Sequence, residues 1–276
     1  MKRHITYYTY LFLGILLYLS VNACDTDKGQ HEISFYKVEK MEKMTEKPIE
    51  SEEDETELKP LHLENREMDV KVKMQFLKTE NDGKKKICKL INDQLVEVLL
   101  KQSSKQNADD AVSQYIEEVK KDFRSNEVAS IYHDYLDGIA EYGMKNVINY
   151  RLLEDIFTGG AHPCKQTTIL RFNTQTGEFI TLDAVFPTIN HPQLQNLLLA
   201  KLMKDLNVHS INELHKMGVL EMTDMFISNN FALRDDSIEF YYNEYDIAPY
   251  AFGAHTICVS YDDVKDIIST TWENHK

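Results

Sequence analysis

Thr167-Thr168-Ile169-Leu170-Arg171-Phe172-Asn173-Thr174-Gln175-Thr176-Gly177-Glu178-Phe179-Ile180-Thr181-Leu182 reads as a strand, a turn and a returning strand. Thr167 to Phe172 is dominated by β-formers, and Asn173 to Gly177 has the residues of a tight turn. Glu178 to Leu182 then forms the second strand. A chain that folds straight back on itself makes an antiparallel pair, so this stretch argues against a parallel sheet built from βαβ units.

Upstream, Val147 to Phe157 alternates Ile148, Tyr150 and Leu152 before Gly159-Gly160 ends the run. Tyr132 to Tyr142 is an aromatic-rich strand. Further back, Val70, Val72, Met74 and Phe76 alternate with polar residues, and Asn81-Asp82-Gly83 supplies a turn. Ile87, Leu90, Ile91, Leu95, Val98 and Leu99 then recur at helical spacing. A second amphipathic helix runs from about Asp109 to Phe123. Downstream, Pro192 to Leu206 is a leucine-rich helix, and Ile211 to Met217 a shorter one that stops at Gly218. Phe231 to Leu233 and Ile238 to Tyr242 form a hairpin across Asp235-Asp236, Thr256 to Tyr261 a last strand, and Asp262 to Ile268 a last helix. Segregated helices and hairpins imply an α+β fold, with a largely antiparallel sheet packed against a few helices. No repeat of solenoid length is present.

The chain opens with a basic Lys2-Arg3-His4 and an apolar run from Tyr10 to Leu19. This is the layout of a secretory signal. Val21-Asn22-Ala23-Cys24 fits a lipobox, in which the Cys24 thiol accepts diacylglycerol and becomes the new N-terminus. The competing reading is a signal anchor, since Ile5 to Ala23 could just span a bilayer. Residues 1–23 are expected to be a signal peptide, which places the chain in the bacterial cell envelope, lipid-anchored and extracytoplasmic. Residues 24–65 are rich in Glu, Lys, Asp and Thr, with an acidic run at Glu52, Glu53, Asp54, Glu55 and Glu57. Few large apolar residues occur there, so a flexible tether is expected.

There are 31 Lys and Arg against 45 Asp and Glu, and loss of Lys2 and Arg3 with the signal makes the remainder more acidic. That balance disfavours nucleic acid and anionic membranes as partners and favours basic proteins or cations. Beyond Cys24 stand Cys88, Cys164 and Cys258. Three thiols in an oxidising compartment allow at most one bridge.

Three stretches carry a family resemblance. The first is Phe157-Thr158-Gly159-Gly160-Ala161-His162-Pro163, and the second runs from Phe172 through the turn to Phe186. The third is Tyr242-Asn243-Glu244-Tyr245-Asp246-Ile247-Ala248-Pro249-Tyr250-Ala251-Phe252-Gly253. Together they resemble the extracytoplasmic domain of the RsiV-like family. The region upstream, with its strand and with Ile91-Asn92 opening a helix, resembles the small N-terminal module often paired with it. The resemblance implies a module over residues 66–157 and an RsiV-like C-terminal domain over 158–272. It also implies a role: the best-understood members are anti-sigma factors whose outer domain binds lysozyme, and others accompany peptidoglycan deacetylase domains as non-catalytic modules. This sequence has no recognisable deacetylase domain and no sigma-binding segment ahead of the signal, so at most the binding step is expected to carry over.

Gly159, Gly160 and His162 read either as a ligand-meeting loop or as a tight turn with His162 bonded to nearby backbone. Glu244, Tyr245, Asp246, Tyr250 and Phe252 read either as core aromatics with solvated acids or as a recognition rim. His162 with Cys164, and His255 with Cys258, would suit zinc if the two segments converge. Alternatively Cys164 and Cys258 pair, or all three thiols are buried and inert. A Cys164–His162 hydrolase oriented by Asp155 or Glu154 is formally possible. No recognised catalytic motif occurs. The chain therefore reads as a binding module without cofactor, with lysozyme or another basic envelope or host protein as partner. The alternative is a peptidoglycan-associated accessory protein, and behind it a His/Cys hydrolase or zinc protein.

Overall fold

In the computed structural model, residues 32–46, 65–104, 106–125 and 131–273 are described. The signal peptide and Cys24 lie outside them, as does the acidic run.

Five strands form the first sheet in the order β1-β2-β3-β4-β5: Ser34–Glu46, Arg66–Lys78, Ile131–Tyr142, Val147–Phe157 and Cys164–Asn173. All neighbours are antiparallel except β2 and β3, which run parallel. That pair is joined through α1 (Asp82–Leu99) and α2 (Ala108–Ser125), as a parallel connection requires a crossover. Asn81 caps α1, its Oδ1 accepting from Gly83 N at 2.9 Å. Both helices lay an apolar stripe on one face of the sheet. Ile91, Leu95, Val112, Ile116 and Phe123 meet Met68, Val70, Val72, Met74 and Phe76 of β2 in one buried cluster. The alternation predicted for β2 is therefore the alternation of its two faces.

β1 corrects an expectation. Residues 34–46 belong to the segment read as flexible tether, yet they pair with β2 over the strand's whole length, from Ser34 opposite Lys78 to Glu46 opposite Arg66. Composition taken over the whole segment hid it. An edge strand needs few apolar residues, and here Val38 is buried opposite Met74. Lys40 reaches α2 instead of the core, its Nζ 2.6 Å from Asp109 Oδ2.

The second sheet is β6-β7-β8, Phe231–Leu233, Ser237–Tyr242 and His255–Ser260, antiparallel throughout. It packs with α4 (His191–Asp205), whose Leu194, Leu198 and Leu202 are fully buried in a second cluster with Phe231, Phe240 and Ile257. The return strand expected at Glu178 to Leu182 shrinks to one bridge, Phe172 opposite Phe179. Thr181 then accepts from Ala184 N at 3.2 Å and caps α3 (Leu182–Val185), turning the chain away from the sheet. α5 (Ile211–Lys216), α6 (Tyr261–Val264) and α7 (Thr270–Glu273) add Leu214, Val264 and Trp272 to the second cluster. The first sheet continues past residue 157, since β5 is its last strand.

The two sheets are joined by polar side chains that imitate strand pairing. Asn149 on β4 donates to Leu233 O at 2.9 Å and accepts from Leu233 N at 3.0 Å. On the outer edge of β5, Asn243 accepts from Thr167 N at 2.7 Å, and Asn230 accepts from Ile169 N at 3.1 Å. Each of these side chains closes a backbone edge that would otherwise be buried without partners.

Asp134 on β3 is buried between the sheet and α2, accepting from the Tyr115 hydroxyl at 2.9 Å. Burial raises its pKa from 3.8 to about 6, Glu154 adds to the rise, and the Tyr115 bond opposes it. A folded pKa above the unfolded one means that the native state holds its proton more tightly. Stability is then greatest below pH 4 and is lost as pH rises through about 6. Asp134→Asn keeps an acceptor for Tyr115 and removes the charge. It is expected to stabilise the fold at pH 7 by up to about 3 kcal/mol and to flatten the pH dependence between 4 and 7. Urea titrations across that range would show either this or an unchanged slope, which would place the titration elsewhere.

Candidate functional site

β4 ends at Phe157, and Gly159 (φ 97°) and Gly160 (φ 113°) carry the chain round to Pro163 and β5. These left-handed angles are what a turn built on two glycines requires. His162 is exposed on that turn, with its Nδ1 2.9 Å from Pro163 O. A ring nitrogen facing a carbonyl oxygen must donate, which leaves Nε2 of the neutral ring as an acceptor. The features of the tight-turn reading are therefore present.

A second loop arrives from far along the chain. After β7, Asp246 N donates to Asn243 O at 3.1 Å and Asp246 Oδ2 accepts from Asn243 N at 2.6 Å, closing a turn. Between them Tyr245 sits at φ 69°, a left-handed conformation that a bulky aromatic residue seldom adopts. The strain turns its ring outward, and the residue is 62% exposed. Its hydroxyl lies 3.1 Å from His162 Nε2, 83 residues away in sequence. Pro249 then opens a single 3₁₀ turn, Tyr250–Phe252, which stops at Gly253 with φ 76°. The Tyr250 ring stacks on His162 with centroids 4.0 Å apart and planes 17° apart. Tyr245 and Tyr250 are 6.0 Å apart. The result is a surface cluster of three rings contributed by both candidate loops.

Asn243 holds the loops together. Its side chain is bonded to the backbone of Thr167 on β5, three residues beyond the glycine turn's exit at Cys164. Buried Ile247, with its carbonyl accepting from Leu220 N at 2.7 Å, anchors the other side. Asp246 is engaged in closing its own turn, and Glu244 is half-buried beside Tyr245. Phe252 packs against the second core, with its ring 6.1 Å from that of His255. Asn243 and the backbone of Tyr245 thus position the cluster. Neither carries a signal in sequence beyond the turn propensity of asparagine.

The His/Cys pairs come out differently. His255, Ile257 and Val259 point from β8 to the core, whereas Thr256, Cys258 and Ser260 point outward. A spacing of three on a strand reverses the face, so His255 and Cys258 cannot share a ligand. Burial lowers the His255 pKa, and its Nε2 has no hydrogen-bond partner among the described residues. No group of three or more His, Cys, Asp or Glu suited to a metal occurs among the described residues. The three cysteines among the described residues are all free. Cys88 is buried, as expected of an inert thiol, but Cys164 and Cys258 are exposed. The hydrolase arrangement is also not assembled: the bonds of His162 go to Pro163 and Tyr245, while Asp155 faces His133 at 3.1 Å and Lys165 at 3.5 Å.

Two grooves lie elsewhere. One, about 490 Å³, runs beside α1 near Tyr36 and Cys88. The other, about 470 Å³, crosses the helix-free face of the first sheet at Lys43, Lys73 and Tyr135. Neither is lined by the three rings.

No curated protein matches this chain. Among solved structures, a DUF3298 family member from Bacteroides fragilis superposes with a TM-score of 0.70 at 21% identity, covering 86% of this chain and 94% of that one. A DUF3298 family protein from Pseudomonas aeruginosa gives 0.57 at 14% identity, covering 86% and 95%. At these identities the likeness is one of fold. Residues 185–262, which include the Tyr245 to Phe252 loop, match the family model described as Protein of unknown function (DUF3298).

Proposed function

We propose that this chain is an extracytoplasmic bacterial lipoprotein, anchored through Cys24, whose folded part is a non-catalytic binding module for a basic envelope or host protein. Lysozyme is the candidate that the resemblance to RsiV-like ectodomains names. The observation that supports a binding role is the meeting of His162, Tyr245 and Tyr250 on the surface. A left-handed Tyr245 is conformational strain spent on presenting a ring to solvent, and exposed tyrosines are the residues from which protein interfaces draw contact energy. The acidic balance of the chain would speed encounter with a basic partner.

Calorimetric titration of the chain from Asp25 onward with a c-type lysozyme, at low and at physiological salt, tests this. Saturable one-to-one binding that survives salt is the expected result. Tyr245→Ala should then weaken binding at least tenfold, about 1.4 kcal/mol or more. Binding that vanishes with salt would overturn the lysozyme reading. The exposed ring of Tyr245 also suits the apolar face of a sugar, so retention on peptidoglycan would then favour a glycan-associated accessory role.

A further inference from the structure

The outer edge of the first sheet is not used by the reading above. β1 spans 13 residues, and among the described residues it pairs on one side only, with β2. Such an edge exposes a row of backbone donors and acceptors, which proteins commonly guard with lysine. Lys37, Lys40 and Lys43 are present, but Glu39, Glu42 and Glu46 alternate with them. A guard of one sign repels a second strand, whereas an alternating one selects its partner.

Two copies of an antiparallel edge meet about a two-fold axis normal to the sheet, so that residues of the same face stand opposite each other. With the axis at Met41, Glu39 stands opposite Lys43 of the second copy and Lys40 opposite Glu42, each pair occurring twice. Val38 meets Met44, and no like charges face each other. With the axis at Lys40, that residue meets itself and Lys37 meets Lys43. With the axis at Glu39 or Glu42, a glutamate meets itself. With the axis at Val38 no like charges meet either, but only the pair of Lys37 and Glu39 forms, twice, and the overlap shrinks from residues 36–46 to residues 34–42. Complementary pairs and overlap together favour the Met41 register.

α2 points to the same axis independently. It runs along β1, with Asp109 and Ser113 bonded to Lys40 and with Arg124 bonded to Glu46 at 3.2 Å. Lys120 reaches Glu42 at 3.5 Å, so Met41 lies level with the middle of the helix. The two-fold would set α2 antiparallel to its copy about two strand spacings away, roughly 10 Å, which is a normal helix packing distance. The acidic start of one helix would then lie beside the basic end of the other. We propose that β1 is a dimerisation edge, to which a second copy of this chain adds antiparallel in the register centred on Met41, giving one continuous sheet. This inference does not depend on the lysozyme reading.

Sedimentation velocity of the chain from Asp25 onward, which holds every described element, tests it. The wild type is expected to show a concentration-dependent dimer. Glu39→Lys and Lys43→Glu each place like charges opposite one another at two symmetric positions. Each alone should weaken dimerisation about tenfold, from the cost of like-charge cross-strand pairs. An equimolar mixture of the two variants should restore the dimer, and so should the double variant E39K/K43E. Within the chain Glu39 stands opposite Lys73, and Lys43 is paired with Asp69 at 2.9 Å, so each reversal also lowers the melting temperature modestly and E39K/K43E lowers it by the sum. A dimer that returns in the double variant or on mixing, although the melting temperature does not, separates lost pairing from lost folding. A wild type that stays monomeric at its highest soluble concentration overturns the proposal. So does a dimer indifferent to the single reversals, or single variants that fail to pair when mixed.

Discussion

Gly143→Ala is expected to cost about 3 kcal/mol or more, the upper part of the overpacking range, because nothing near it can move. A Cβ at this position would lie 2.2 Å from Leu233 O and 2.5 Å from Asn149 Nδ2. Both neighbours are buried, and they are bonded to each other. Leu233 O also accepts from Met144 N at 3.1 Å. The methyl group must therefore displace the carbonyl through which the two sheets are joined, and it breaks that clamp whichever way the chain gives. Gly253→Ala is the informative contrast. Its Cβ would meet nothing within 4 Å, and what remains is the backbone strain of φ 76° with ψ −176°, a region that essentially only glycine adopts, about 1–3 kcal/mol. Urea unfolding of the two variants should separate these costs. Similar small losses in both would mean that the sheets do not approach as closely at Gly143 as the structure has them.

Arg171→Met should be comparably damaging, at about 3–5 kcal/mol. Arg171 is 2% exposed, and among the described residues its guanidinium has no carboxylate partner. It donates instead to the carbonyls of Ile169, Ile180, Asn229 and Phe231, at 2.8 to 3.1 Å. Its Cζ lies 3.7 Å from the centroid of the Phe231 ring, with Phe179 on another side at 4.9 Å. Burial pulls its pKa down to about 9, still above neutral, so it enters the core as a cation. Methionine matches the volume and removes the cost of the buried charge. It also leaves several carbonyls short of a donor, and on balance that loss dominates. Arg171→Lys keeps the charge, but a single ammonium cannot reach carbonyls spread over both sheets, so it should recover little. Denaturant titrations followed by far-UV circular dichroism would check both variants. If methionine proved neutral, the carbonyls would have to find water or backbone donors once the guanidinium is gone.

Arg171 also marks where sequence reasoning stops. In Thr167 to Phe172 it occupies a position that alternation assigns to one face of a strand, and a charged residue there reads as solvent-facing. Its burial depends on a second sheet covering that face, and no local pattern reports this. β1 was missed for a related reason: its Lys/Glu alternation has the composition of a tether, and its pairing with β2 belongs to the structure and not to the segment. The strand expected after Gly177 failed in the other direction. Its apolar residues fit a strand, but Thr181 found a capping bond and Ile180 a place beside Arg171, so the chain turned into α3.

The sequence by itself determined the periodic elements. Strands β2 to β5, helices α1, α2 and α4, and the β6–β7 hairpin all lie where alternation, helical spacing and turn residues placed them, because those patterns record which face of a local element must leave water. It also determined that Gly159-Gly160 would take left-handed angles, since those residues readily adopt them. The tertiary structure alone decided which faces of the strands were covered twice, which thiols stayed exposed, and that β8 separates His255 from Cys258. It alone brought Tyr245 and Tyr250 onto His162. Contacts between residues 83 apart depend on the path of the whole intervening chain, whereas a local pattern records only what each segment hides from solvent.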